Sequence, residues 1–232
     1  MSRLGFIDRW RGIAIVMMVG FHACYDSTYF GLTHFNMLGS PFWTTWRTGI
    51  VSLFIFISGI SLTLAHQAGR SGSRYRIGQL MAGAAAVSLV TAYLFGPRWI
   101  YFGVLHFYLV ATLITRPLLR WSFWFWLPGL LALWLGQLEL VNMDSRWLNW
   151  IGMAAHKPAT EDYAPLVPWL GLFWLGAWWG QTRWITQCIP PAGFSPWDRG
   201  LQWLGRHGLI IYLIHQPILF GLFELHAHWS TN

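Results

Sequence analysis

The sequence predicts an all-α integral membrane protein of about seven transmembrane helices, a single domain over residues 1–232 with its N-terminus in the cytoplasm. Three observations carry this expectation. Of 232 residues, 55% are hydrophobic, 18% aromatic and only 10% charged, whereas a soluble domain carries about 25% charged residues to cover its surface. Seven apolar runs, at 11–31, 48–66, 77–96, 99–116, 122–141, 165–181 and 203–226, approach the ~20 residues that a spanning helix needs. The basic residues, finally, sort by alternate loops. Arg3, Arg9, Arg11, Arg70, Arg74, Arg76, Arg116, Arg120, Arg183, Arg199 and Arg206 fall on one side, and only Arg47, Arg98, Arg146 and Lys157 on the other. Positive residues collect on the cytoplasmic side, which places the N-terminus there.

Taken in order, the first run follows a charged segment ending Asp8-Arg9-Trp10-Arg11, too charged and too late for a short cleavable signal, so it is expected to stay in the mature protein. The second, third and fourth runs are almost free of charge. The fifth carries Gln137 and Glu139 near its outer end, and the sixth is short, so these boundaries can shift. Trp99, Tyr101, Trp121, Trp147, Trp150 and Trp184 gather near run ends as interfacial anchors. No soluble domain is expected beside or between the runs. The formal charge of +7 forms no basic face or arm, which argues against a nucleic-acid partner. Cys24 and Cys188 lie too far apart in this topology for a disulfide framework.

Ionisable groups inside a span are costly and mark function by default. His22 and Asp26 stand four residues apart in the first run, on one helical face, where a carboxylate can orient an imidazole for base or nucleophilic chemistry or simply tie helices together. His22 falls near the midplane, and His106 and His215 reach a similar depth in the fourth and seventh runs. Three spans can thus offer imidazoles to one interior cavity, or make three unrelated interhelical bonds. Gln216 and Pro217 next to His215 suggest a local unwinding of the last helix. His34 sits in the first outer loop beside Asn36. His207 follows Arg206 at the cytoplasmic face and is left unassigned.

Asp8 and Arg11 stand where the first helix leaves the cytoplasm; the arginines there can meet lipid head groups or the phosphates of a cytoplasmic donor. Ser58-Gly59-Ile60-Ser61 in the second run permits close approach of another helix or of a slender ligand arm. No HExxH, paired-cysteine motif or tight histidine cluster is present, so no metal is expected. Bis-histidine haem is geometrically open to His22 with His106 or His215, but Asp26 beside His22 weakens it.

Several strings in order resemble one family. They are Ile7-Asp8-x-x-Arg11-Gly12-Ile13-Ala14-Ile15 followed by His22 and Asp26; Leu53-Phe54-Ile55-Phe56-Ile57-Ser58-Gly59-Ile60-Ser61-Leu62; and Gly103-Val104-Leu105-His106. Asp162-Tyr163-x-Pro165-Leu166-x-Pro168-Trp169-Leu170-Gly171 and Trp203-Leu204-Gly205-Arg206-His207-Gly208-Leu209-x-x-Tyr212-Leu213-x-His215-Gln216-Pro217 complete the set. Together they resemble the small bacterial relatives of the heparan-α-glucosaminide N-acetyltransferase catalytic domain, among the multi-span membrane acyltransferases. The resemblance implies acetyl transfer from cytoplasmic acetyl-CoA to a sugar or glycan presented from the far side of a bacterial inner membrane. It also draws attention to the region of His34, which corresponds to the luminal stretch holding the acyl-transfer histidine of the lysosomal member, although the residues around His34 do not match that member's. His22, Asp26, His106, His215 and His34 are then the candidate catalytic residues. Asp8, Arg11, Ser58, Gly59 and Arg206 are the candidates for holding the coenzyme. The alternative is a proton-coupled transporter or flippase-like protein using the same histidines as a relay. Oligomeric state and acceptor identity are not set by the sequence.

Overall fold

A computed structural model describes residues 5–69, 74–138, 143–182 and 195–230. Arg3, Arg70, Glu139, Arg183, Trp184 and Cys188 lie outside the described residues. Among the described residues there is no strand. The helices are α1 (Gly5–Tyr29), α2 (Pro41–Gln67), α3 (Arg74–Phe95), α4 (Val104–Thr115), α5 (Trp126–Leu135), α6 (Leu166–Trp179), α7 (Pro196–Arg206) and α8 (Gly208–Ser230), with 3₁₀ turns at Gly96–Arg98, Arg116–Trp124 and Asn149–Ile151. Local chemistry explains several boundaries. Gly31, at φ 74°, follows the last turn of α1 in a left-handed conformation. α7 opens with Ser195 accepting from the Asp198 N–H and with Pro196 in its first turn.

Helices of spanning length cover part of the seven expected runs. Among the described residues α2, residues 74–98 around α3, and residues 208–229 of α8 are long and apolar enough to cross a bilayer. The runs at 99–116 and 122–141 appear as one bent pair, residues 104–124 and 126–135, with a 113° angle between them. The run at 165–181 gives α6, a 14-residue helix. α1 has 25 residues, yet His22, Asp26, Ser27 and Thr28 dilute its apolar stretch. The unwinding expected at Gln216-Pro217 does not occur: α8 continues through Pro217. One missing N–H costs the helix a single bond to a carbonyl four residues back, which the turns on both sides tolerate.

The chain divides into two compact units, residues 1–54 with 189–232, and residues 55–188. In the first, α1 meets α7 at backbone distance. A Cβ added to Gly12 would fall on the Leu201 carbonyl, and one added to Gly205 on the Asp8 carbonyl, so small residues set the approach. α1 and α8 run parallel: Arg11 and Ile15 pack on Gly208, His22 meets His215, and Phe30 meets Phe220 and Phe223. Met18, Phe21, Met37, Trp43 and Ile50 form a buried apolar cluster against the C-terminal half of α1. Trp43 and Trp46 stack within it at 5.4 Å.

In the second unit the same device recurs. Cβ atoms at Gly59 and Gly176 would fall on the carbonyls of Phe173 and Phe56, which holds the later half of α2 against α6. Thr63 Oγ1 donates to the Ala177 carbonyl at 2.9 Å, Trp174 Nε1 to Thr115 Oγ1 at 3.0 Å, and Gln181 to Ser122. The segment before α6 is tied down by Tyr163, which donates to the Asn149 carbonyl at 2.6 Å and whose hydroxyl is pushed up to about 12, first by burial and then by Tyr101 and Asp144.

Gly205→Ala should lower the melting temperature of detergent-purified protein, because overpacking a backbone contact costs about 1–3 kcal/mol. Gly200→Ala on the same helix, with nothing within 4 Å of its added Cβ, should be neutral or stabilising by up to about 1 kcal/mol. Equal shifts in thermal unfolding would show that the α1–α7 contact is not tight.

Candidate active site

Two polar clusters sit along α1. The one near its N-terminal end is built on Asp8, 2% exposed. Arg11 donates to Asp8 Oδ1 at 2.9 Å and to the Gly205 carbonyl at 3.3 Å. Arg206 Nε lies 3.5 Å from Asp8 Oδ2, and its second guanidinium nitrogen reaches Gln202 at 3.4 Å. A buried carboxylate demands such cations, and the close approach at Gly205 is what brings them to it. The Arg11 side chain is 20% exposed and the Arg206 side chain 50%, so Arg206 keeps the greater freedom to meet a solvent-borne anion. Arg9 pairs with Asp198 at 3.2 Å on the outside of the same crossing.

The second cluster, toward the C-terminal half of α1, contains His22, Asp26, His215 and Gln216, all within the first unit. His22 Nδ1 lies 3.0 Å from the Met18 carbonyl and 3.2 Å from His215 Nε2. His215 Nδ1 lies 2.7 Å from the Tyr212 carbonyl and 3.2 Å from that of Ile211. Carbonyl oxygens only accept, so each Nδ1 carries the hydrogen. His215 Nε2 is then a lone pair, and it accepts from His22 Nδ1–H. By elimination His22 Nε2 is also a lone pair, with no hydrogen bond to it among the described residues. The two rings stand 4.8 Å apart at 65°, with Phe21 edge-on to His22 at 5.8 Å and Tyr212 near His215 at 5.9 Å. This arrangement can remove or relay a proton at Nε2 while the other face of the ring stays fixed.

Asp26 is buried beside this pair but does not bond to His22. Its Oδ1 accepts from Gln216 Nε2 at 2.8 Å. Sequence reasoning noted Gln216 only as a mark of helix distortion. An amide in an apolar helix next to His215 was the available signal, but its partner lies 190 positions away. His34 is exposed in the loop after α1.

The other expected residues lie in the second unit. His106 uses both ring nitrogens: Nδ1 accepts from the Gly103 N–H at 3.3 Å, and Nε2 donates to Ser88 Oγ at 3.0 Å, since that hydroxyl spends its own hydrogen on the Ile100 carbonyl at 2.7 Å. Asp162 accepts from the Val104 N–H at 2.8 Å, so both residues satisfy the start of α4. Gly59 is filled by the Phe173 carbonyl, and Ser58 is half-buried beside it on α2. No three His, Cys, Asp or Glu side chains converge among the described residues.

Removing Asp8 strands two arginines, so Asp8→Ala should cost about 3 kcal/mol in thermal unfolding, the lower end for a broken buried pair because Arg206 can turn to solvent. Arg9→Ala, which breaks the exposed pair, should cost less than about 1 kcal/mol. A loss no larger for Asp8 than for Arg9 would contradict the buried-pair reading.

Residues 3–217 match the protein family described as heparan-alpha-glucosaminide N-acetyltransferase, catalytic. No curated protein and no solved structure matches the chain. The family match takes in both polar clusters and nearly the whole chain, and the chain belongs to that family of acetyltransferases.

Proposed function

With that family as premise, we propose that this protein is a transmembrane acetyltransferase carrying an acetyl group from cytoplasmic acetyl-CoA to a sugar or glycan on the far side of a bacterial inner membrane, with His22 Nε2 as the reacting base. The single observation that supports this most is the His22–His215 pair, which leaves one lone pair free on a fixed ring. The seven-span topology with a cytoplasmic N-terminus is part of the proposal. It is supported by the arginine distribution and by the parallel course of α1 and α8, as first and last spans of an odd number require.

Arg206 and Arg11 are proposed to meet the phosphates of the donor at the inner end of α1. Arg11 and His22 are eleven residues apart on one helix, about 16 Å along its axis, a length that the extended arm of the coenzyme has to cover. Asp8 holds the two arginines and is not itself a contact for phosphate. Ser58 and Gly59 are left out, because α6 takes up the small-residue surface at Gly59. His106 is left out because both of its ring nitrogens are committed. His34, exposed and hydrogen-bonded to nothing else described, is proposed to meet the acceptor.

In the reaction, an acceptor hydroxyl or amine attacks the thioester carbonyl while His22 Nε2 takes its proton. The new bond to the acetyl carbon forms, the carbon–sulfur bond breaks, and the proton passes from His22 to the departing thiolate. His215 Nε2 accepts from His22 Nδ1–H throughout, so the imidazolium that forms in between is stabilised without ring rotation. A cell-envelope glycan or lipid-linked sugar is the proposed acceptor class.

The test is transfer of labelled acetyl from acetyl-CoA by protein in inside-out vesicles. His22→Ala should lower kcat by about 10²–10⁴, the usual worth of a positioned base. His106→Ala should act on stability more than on kcat of the folded fraction. Unchanged turnover in folded His22→Ala would overturn the assignment.

A further inference from the structure

The carboxyl group expected to steer His22 is bonded to Gln216, and the donors and acceptors there do not balance. Asp26, 1% exposed, accepts one hydrogen bond at Oδ1. Among the described residues its Oδ2 and the Gln216 Oε1 are both buried without a hydrogen-bond partner, and no cation pairs with Asp26. An ionised carboxylate so placed would be buried uncompensated, next to an amide oxygen that also lacks a donor. One proton removes both deficits. A carboxylic acid presents a donor and an acceptor side by side, a carboxamide presents an acceptor and a donor side by side, and the two planar groups can close a ring of two hydrogen bonds.

We propose that Asp26 and Gln216 form such a proton-closed carboxyl–carboxamide pair, Oδ2–H donating to Oε1 while Nε2–H donates to Oδ1, and that they act as positioning residues for the histidine pair. The proposal rests on the reading of His22 and His215 as the reacting centre. Gln216 follows His215 directly, and Asp26 stands one turn beyond His22, so the ring fixes the register of α8 against α1 within a turn of the two imidazoles. A single hydrogen bond would leave the planes free to slide; two fix distance and plane together. A shift of about 1 Å at a reacting centre can cost about 100-fold in rate, which gives the pair a purchase on catalysis without contact with substrate.

Infrared spectroscopy of the lipid-reconstituted protein at neutral pH tests this without reference to turnover. The wild type should show the carbonyl stretch of a protonated carboxyl group, absent in Asp26→Asn and displaced in Gln216→Ala. Carbon-13 labelling of aspartate assigns the band in the wild type should a variant fail to fold. In acetyl transfer, Asp26→Ala should lose about 100-fold in kcat, and Asp26→Asn should restore most of that loss, since asparagine reproduces both bonds of the ring. Absence of the band, or an asparagine variant as impaired as the alanine one, would overturn the proposal and leave Asp26 as a working carboxylate. Failure of the underlying reading would look different: His22→Ala would keep its turnover while the infrared band remained.

Discussion

At two points along α1 nothing separates its backbone from that of α7. Gly12 faces the Leu201 carbonyl and Gly205 faces the Asp8 carbonyl, and a side chain at either glycine would push the helices apart. That approach is what brings Arg206 onto Asp8 and the Gly205 carbonyl onto Arg11. Because α8 begins two residues after α7 ends, the crossing also sets where α8 lies along α1. The meeting of His22 with His215 and of Asp26 with Gln216 therefore inherits its register from glycines a dozen or so residues away. Apolar packing around Phe21 and the stacked Trp43 and Trp46 then fills the space beside the imidazoles.

Hydrogen-bond directionality converts that packing into chemistry. His22, His207 and His215 each bring Nδ1 to the carbonyl of the residue four positions earlier, Met18, Trp203 and Ile211. An imidazole in a helix has that carbonyl at hand whatever else surrounds it, and satisfying it fixes the tautomer with Nε2 unprotonated. His215 spends its Nε2 on His22. His22 spends its on nothing among the described residues, which is why the proposed base is His22 and not its partner. His106 escapes this pattern because it stands in the first turn of α4, where its Nδ1 accepts from the Gly103 N–H.

Much of this was legible in the sequence. The helical character, the membrane location and the inward placing of His22, Asp26 and His215 follow from apolar runs and from the cost of polar groups within them. The depth argument puts His22, His106 and His215 at a similar level; His22 and His215 meet at 3.2 Å, whereas His106 belongs to the other unit and spends both ring nitrogens there. Partner identity was less legible. Four-residue spacing put His22 and Asp26 on one face, but the same spacing also offers His22 the Met18 carbonyl, and that local bond is the one formed. Periodicity says which residues share a face and not which helix that face meets, so the bonds from Gln216 to Asp26 and from His106 to Ser88 could not be read. The arginines near the N-terminal end of α1 suggest lipid head groups or donor phosphates in the sequence, and only the fold shows that the buried Asp8 holds Arg11 and Arg206 there.

Nitrogen-15 NMR of the histidine side chains in protein reconstituted into lipid nanodiscs tests the centre of the account most directly, with His22→Ala and His215→Ala used to assign the two rings. The account predicts that both rings carry hydrogen at Nδ1 and not at Nε2, with His22 Nδ1–H shifted by its bond to His215 and returning toward an ordinary position in His215→Ala. A His22 ring protonated at Nε2 would place no lone pair where the reaction needs one, and would contradict it.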